Sequence, residues 1–427
     1  MTELPNSSDR IYARYWIETA FPLQQAADTM AGEQSTGTFL RVPGETDELR
    51  ERHAARVESI MEGESASAPS LPGSGTPKDW DGVRRTAEVV LSWPLHNISP
   101  SLPNLLATVA GNLSELKAFS GLKLLDLSLP PAFLTAYQGP QFAVSGTRKA
   151  TGVYGRPLIG TIIKPSIGLS PEQTAEQVRV LAEAGIDFVK DDELQSDGPH
   201  CPFEARVTAV MRVLKEHQQR TSKLVMYAAN LTGEIDQMLR RHDHLVAQGG
   251  TCLMVSMNSI GLPAIKVLRQ HSKLVIHGHR NGWGMLGRSP AIGMSFVAFQ
   301  KLWRLAGIDH THVNGLLNKF CETDESVIAS ARACLTPMFP PPNPGCEVMP
   351  VFSSGQSARQ APETFKALRS TDLIYAAGGG IMGHPAGPAA GVRSLQQAWQ
   401  AAVEGTPLTA YAQSHPELAA ALQLFGT

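Results

Sequence analysis

The sequence predicts an α/β protein, a C-terminal (β/α)8 TIM barrel preceded by a smaller N-terminal α+β domain. Three observations predict it. From residue 150 of the 427, short apolar runs rich in β-branched residues recur eight times. The segments between them, such as "SPEQTAEQVRVLAEAG" and "GEIDQMLRRHDHLVAQG", carry apolar residues at helical spacing and close on glycine. Before residue 150, strand-like and helix-like segments follow no regular alternation. Strand then helix, eight times over roughly 250 residues, is the barrel pattern. A doubly wound open sheet is the alternative. The boundary follows: 1–149 for the first domain and 150–427 for the barrel.

In the first domain "RIYARYWIETA" and "RRTAEVVLSWPL" read as strands, and "PLQQAADTMAGE" and "SLPNLLATVAGNLSELKAF" as helix-like. "EGESASAPSLPGSGTPKDWDG" is rich in Ser, Gly and Pro, and reads as a linker or as a long hairpin loop. Strand-like segments on both sides favour the loop. The barrel strands are "LIGTIIKP", "DFVKDDE", "LVMYAAN", "TCLMVSMN", "LVIHGHR", "HTHVNG", "EVMPVFSSG" and "LIYAAGGG".

Apolar residues make up 42% of the chain, enough for a sizeable core, and the net charge is −2 with no basic block. That argues against a nucleic-acid surface but leaves room for a basic pocket holding a small phosphorylated metabolite. The five cysteines, Cys201, Cys252, Cys321, Cys334 and Cys346, form no CxxC pair and read as reduced thiols of a cytoplasmic protein. The first residues show no signal-peptide pattern, and no run reaches the roughly 20 apolar residues of a membrane span.

A barrel demands functional groups at the C-terminal ends of its strands. In order, those ends carry Lys164; Lys190, Asp192 and Glu193; Asn230; Asn258; His279 and Arg280; His312; Ser353 and Ser354; and Gly378, Gly379 and Gly380. On a strand Lys190 and Asp192 project to one face, with Glu193 following. Two adjacent carboxylates suit Mg2+. Lys190 then acts either as an ion-pair partner or, after reaction with CO2, as an anionic carbamate ligand. "AAGGGIMGHPAGPAAG" and "FSSGQ" follow the last two strands, where barrels commonly bind phosphate, and their small residues allow a backbone anion nest. Arg280 fits a clamp for phosphate or carboxylate. The H-x-H pairs His277/His279 and His310/His312 read as core histidines or as zinc ligands.

"GRPLIGTIIKPSIGLS", "GIDFVKDDE", "IHGHR", "DHTHVNG" and "GGGIMGHPAG" closely resemble the large subunit of ribulose-bisphosphate carboxylase/oxygenase (RuBisCO). "GEQSTGTF" and "ATVAGNL" resemble the two N-terminal motifs that complete its active site, so the likeness spans nearly the whole chain. The resemblance implies that Lys190 is the carbamylated lysine and that Asp192 and Glu193 are the other Mg2+ ligands. It implies that Lys164 transfers protons and that Lys319 is the mobile-loop lysine. His279, Arg280, His312, Ser353, Gly378 and Gly379 would hold substrate hydroxyls and phosphate. Glu33, Thr38 and Asn112 would come from a neighbouring subunit, implying at least a homodimer with shared active sites.

Several positions depart from the carboxylase pattern. Its K-P-K motif is here Lys164-Pro165-Ser166, Phe39 replaces a tryptophan, Trp283 replaces a histidine, and "NGLLNKFCE" lacks the glycines flanking the loop lysine. These departures resemble the RuBisCO-like proteins, which keep the enolate chemistry without carboxylation. The expected function is Mg2+-dependent decarboxylation, or carboxyl-transferring hydrolysis, of a phosphorylated 3-oxo sugar acid. Retention of Lys319 motivates it, because that lysine sits near the CO2 moiety in the family. The alternatives are a methionine-salvage enolase or isomerase, with Trp283 and Phe39 walling a methylthio group, and a non-catalytic sugar-phosphate binder.

Overall fold

The computed structural model describes residues 3–37 and 42–426. The chain divides into two units. The smaller comprises Met1–Gln138, Gly282–Leu305 and Met338–Gly345, and the larger Gly139–Asn281, Ala306–Pro337 and Cys346–Thr427. In chain order, β1 (Arg10–Thr19), β2 (Arg56–Glu62), β3 (Arg85–Pro94) and β4 (Phe119–Ser128) belong to the smaller unit. The larger unit then contributes β5 (Leu158–Ile162), β6 (Phe188–Lys190), β7 (Met226–Asn230), β8 (Cys252–Ser256) and β9 (Val275–His279). β10 (Ile292–Met294) returns to the smaller unit, and β11 (His310–His312), β12 (Met349–Phe352) and β13 (Ile374–Ala376) complete the larger.

The smaller unit is a five-stranded sheet in the order β10-β4-β1-β3-β2. β1 pairs antiparallel with β3 and β4, and its alternation buries Ile11, Ala13, Tyr15 and Ile17. The Ser/Gly/Pro-rich segment connects β2 to its antiparallel partner β3, as a hairpin loop would. Glu18 ties it down, accepting from Ser70 N at 2.8 Å and Ser70 Oγ at 2.6 Å. The helix-like "SLPNLLATVAGNLSELKAF" is only partly helical. The helix stops at Val109 before Gly111, and Phe119 opens β4.

In the larger unit eight parallel strands close in the order β11-β12-β13-β5-β6-β7-β8-β9, each within its expected run. Buried on both faces, parallel strands read as continuous apolar stretches. Leu158, Phe188, Met226, Met254, Val275, Met349 and Ile374 share one buried cluster. A side chain on Gly160 would begin 2.9 Å from the Phe188 ring, so glycine there admits the phenylalanine. The helix Pro171–Glu183 shows how a connection is specified. Ser170 and Gln173 form a capping box, Ala175, Val178, Leu181 and Ala182 are buried, and Gly185 (φ +86°) turns the chain toward β6. No helix among the described residues is long and apolar enough to cross a membrane.

Candidate active site

Alternation at the end of β6 separates four adjacent charged residues. Lys190 is fully buried, and its Nζ donates to Asp191 O at 2.7 Å and lies 3.4 Å from Glu193 Oε2. The Asp191 carboxylate accepts from Tyr227 OH at 2.7 Å and Asn230 N at 2.9 Å, and pairs with buried Arg206 at 3.2 Å. Its capacity is spent on packing. Asp192 instead accepts from Lys164 Nζ at 2.6 Å, and Ser166 Oγ lies 2.9 Å from that nitrogen. Asn230 Nδ2 donates to the carbonyls of Asp192 and Glu193, both at 3.2 Å, pinning the backbone that carries the two carboxylates. Ser166, where the carboxylase motif has a second lysine, thus gives Lys164 a neutral partner in place of a like charge.

Burial pushes the Lys190 pKa below its ordinary value against the pull of Glu193 and Asp192. Burial also opposes ionisation of Glu193, but Lys190 and His279 outweigh it and hold that carboxyl at about 2. His279 is lowered to about 4, first by burial and then by Lys190. Its Nδ1 accepts from Asn281 N at 3.2 Å, so the neutral ring carries its proton on Nε2, 3.5 Å from Glu193 Oε2. The donor chemistry fits Mg2+: two carboxylates stand beside a buried amine whose neutral form is the one that reacts with CO2.

Around the same barrel end, His312 Nδ1 lies 2.8 Å from Ser353 Oγ. Arg280 pairs with Glu322, which also accepts from Asn314 Nδ2 at 2.7 Å. Lys319 lies exposed on the loop after β11, its amine 5.3 Å from the Phe320 ring centre and its backbone N donating to Ser354 O at 3.2 Å. Gly378 and Gly379 begin the helical turn Gly378–Met382 after β13. A Cβ on Gly380 would meet Gln356 O at 2.4 Å, so that glycine packs the last two loops together. A Cβ on Gly379 would meet nothing within 4 Å among the described residues, which leaves its backbone approachable by a ligand.

Glu322, Asn314 and Gln356 escaped the sequence reading. The Asn314-Gly315 pair is a turn signal, and Asn314 does adopt φ +66°. The H-x-H histidines are engaged in hydrogen bonds. His277 Nε2 meets His312 Nε2 at 2.8 Å, and His310 Nε2 meets Thr147 Oγ1 at 2.7 Å. Among the described residues, the one group of three His, Cys, Asp or Glu side chains close enough to share an ion is His242, Asp243 and His271. It lies on the outer helices Ile235–Ala247 and Met257–His271. In the smaller unit, Glu33 Oε1 and Asn112 Nδ2 are 3.5 Å apart, while Thr38 and Phe39 lie outside the described residues. Trp283 packs on Phe299, ring centres 4.6 Å apart, and on Phe296 at 5.3 Å.

Two family models match: the RuBisCO large chain N-terminal domain over residues 3–133 and the RuBisCO large chain catalytic domain over 143–425. The chain is 55% identical to the 3-oxo-isoapionate-4-phosphate transcarboxylase/hydrolase of Xanthobacter autotrophicus, covering 97% of this chain and 99% of that one. It is 46% identical to the 3-oxo-isoapionate-4-phosphate decarboxylase of Rhizobium etli, covering 96% and 97%. A rubisco-like protein of Burkholderia fungorum superposes with a TM-score of 0.90 at 47% identity, over 97% of this chain and 99% of that one. The octameric Rubisco of Pyrococcus horikoshii does so with a TM-score of 0.86 at 31% identity, over 99% and 96%. The chain belongs to the RuBisCO large-chain family, among its RuBisCO-like proteins.

Proposed function

We propose that this protein is a Mg2+-dependent decarboxylase or transcarboxylase/hydrolase of 3-oxo-isoapionate 4-phosphate or a closely related phosphorylated 3-oxo sugar acid. The observation that carries the reading is the 2.6 Å contact from Lys164 Nζ to Asp192, beside buried Lys190 and Glu193. The near-complete match to a transcarboxylase/hydrolase supports the substrate class. Lys190, after its neutral amine takes up CO2 and releases a proton, would join Asp192 and Glu193 as a third oxygen donor for Mg2+. When bound, the ion supplies Lewis acidity to adjacent substrate oxygens. Lys164 returns a proton to the carbon that has lost its carboxyl group. Gly378 and Gly379 hold the phosphate, Arg280, Ser353 and Lys319 hold the acid end, with His312 acting through Ser353 at 2.8 Å, and His279 orders a substrate hydroxyl. Glu33, Thr38 and Asn112 of a second copy complete the site in a homodimer or larger assembly.

The test is NMR with a 3-oxo sugar-acid phosphate labelled with 13C at the carboxyl. Label emerging as bicarbonate identifies a decarboxylase, and label in a phosphorylated or free carboxylic acid product identifies the transcarboxylase/hydrolase. No carbon loss, together with deuterium entry into a diketo methylthiopentyl phosphate in D2O, would overturn the proposal in favour of methionine salvage. Trp283 favours the first outcome, because its ring is already committed to Phe296 and Phe299. In the same assay Lys164→Met is expected to lower kcat by about 10²-fold, the usual scale of a lost proton-transfer group. An unchanged kcat would remove Lys164 from the chemistry.

A further inference from the structure

Two buried imidazoles and a hydroxyl form a chain whose proton directions can be counted. His277 Nε2 lies 2.8 Å from His312 Nε2, and His312 Nδ1 lies 2.8 Å from Ser353 Oγ. His277 is fully buried, its ring centre 5.2 Å from that of Phe188, and its Nδ1 has no hydrogen-bond partner among the described residues. Burial holds both imidazoles well below the ordinary histidine pKa, so each is neutral and carries one proton.

Two arrangements use these contacts. In the first, His312 donates from Nε2 to His277, and the Ser353 hydroxyl donates to His312 Nδ1. His277 must then carry its own proton on Nδ1, as a buried N–H with no acceptor. In the second, His277 donates from Nε2, and its Nδ1 is a bare lone pair. His312 then carries its proton on Nδ1 and donates it to Ser353 Oγ. Buried donors without acceptors are rarer than acceptors left under-satisfied, so the second arrangement prevails.

We infer that His277 is a positioning residue: it fixes the His312 tautomer and thereby turns the Ser353 hydroxyl proton toward an anionic oxygen of the substrate. The inference rests on the reading of this barrel end as the site for a phosphorylated sugar acid. It adds a specificity rule. Both His312 nitrogens are spent inside the protein, so His312 recognises the substrate only through Ser353. The hydroxyl, already accepting from His312, is offered as a donor and selects carboxylate or phosphate oxygens over hydroxyl donors.

Histidine 15N NMR on the Mg2+-loaded protein tests the tautomer without turnover, with signals assigned from single His→Gln variants. His312 is expected to be protonated at Nδ1 and bare at Nε2, and the reverse would overturn the inference. His277→Phe keeps the ring's bulk and removes the donor. It is expected to release the His312 tautomer and raise KM for the sugar-acid phosphate about tenfold, the scale of one hydrogen bond to a charged group, with kcat little changed. His277→Gln, whose amide N–H can serve the same acceptor, is expected to restore both. An unchanged tautomer and KM in His277→Phe would refute the positioning role. If the native enzyme does not turn over the sugar acid, the proposed function fails. The His312 tautomer in the native protein, and its release in His277→Phe, still decide the inference.

Discussion

Replacing Lys190 with alanine is expected to lower kcat/KM by about 10³-fold or more, the scale set by several kcal/mol of lost metal assistance. The lysine is fully buried, and the nearest charge to its amine is the Glu193 carboxylate at 3.4 Å. Without it, Asp192 and Glu193 remain as two carboxylates with one cationic partner, Lys164, on the first of them. A site that used Lys190 only as a counter-charge would bind Mg2+ more tightly after the substitution, because a competing cation is gone. A carbamate site would lose Mg2+ binding altogether. Titration calorimetry with Mg2+ and bicarbonate therefore separates the two readings of this lysine. The pH dependence has a defined sign. Only the neutral amine takes up CO2, so activation by bicarbonate should rise with pH. Burial has lowered the Lys190 pKa, which moves that rise toward neutrality from the ordinary lysine range. Activation that falls as pH increases would rule out carbamylation.

Much of this site was legible because barrel geometry converts sequence order into position. Once eight apolar runs are recognised, the residue after each run is placed at one end, and Lys164, Lys190, Asp192, His279, His312 and Ser353 fall there without knowledge of any contact. Strand alternation also put Lys190 and Asp192 on one face and left Asp191 facing the other way. What escaped depends on register and on chain segments far apart. β10 is three residues long and pairs in parallel with β4, some 170 positions earlier in the chain, so no local pattern marks it. β2 lies at the edge of its sheet and is largely exposed, so its alternation is weak. The His277–His312 contact joins neighbouring strands and could not be told from two separate H-x-H pairs. Glu322 lies ten residues past β11, and only the closed loop shows that it meets Arg280.

Arg206→Met is expected to destabilise the protein by about 3–5 kcal/mol, the cost of leaving a buried carboxylate without its partner. Arg206 is fully buried. Its Nε holds Asp191 at 3.2 Å, while Nη1 and Nη2 donate to Cys201 O at 3.0 Å and Ser196 O at 2.7 Å. Methionine fills comparable space but supplies none of these donors, so buried Asp191 loses its cationic partner and Ser196 O its donor, while Cys201 O keeps only Gln195 Nε2 at 3.3 Å. The damage should also reach the chemistry. Asp191 accepts from Asn230 N, and the Asn230 side chain fixes the Asp192 and Glu193 backbone, so Mg2+ affinity should fall along with stability. Arg206→Met combined with Asp191→Leu removes the unpaired charge and should recover much of the lost stability. It should not recover Mg2+ affinity, because the Asn230 amide has still lost its carboxylate. Urea denaturation paired with Mg2+ titration measures both quantities on each variant. If the double variant regained Mg2+ binding as well as stability, Asp191 would be a packing residue with no influence on the metal site. If Arg206→Met alone left stability unchanged, Tyr227 and Asn230 would suffice to hold Asp191, and the two carboxylates beside it would owe their placement to the β6 backbone alone.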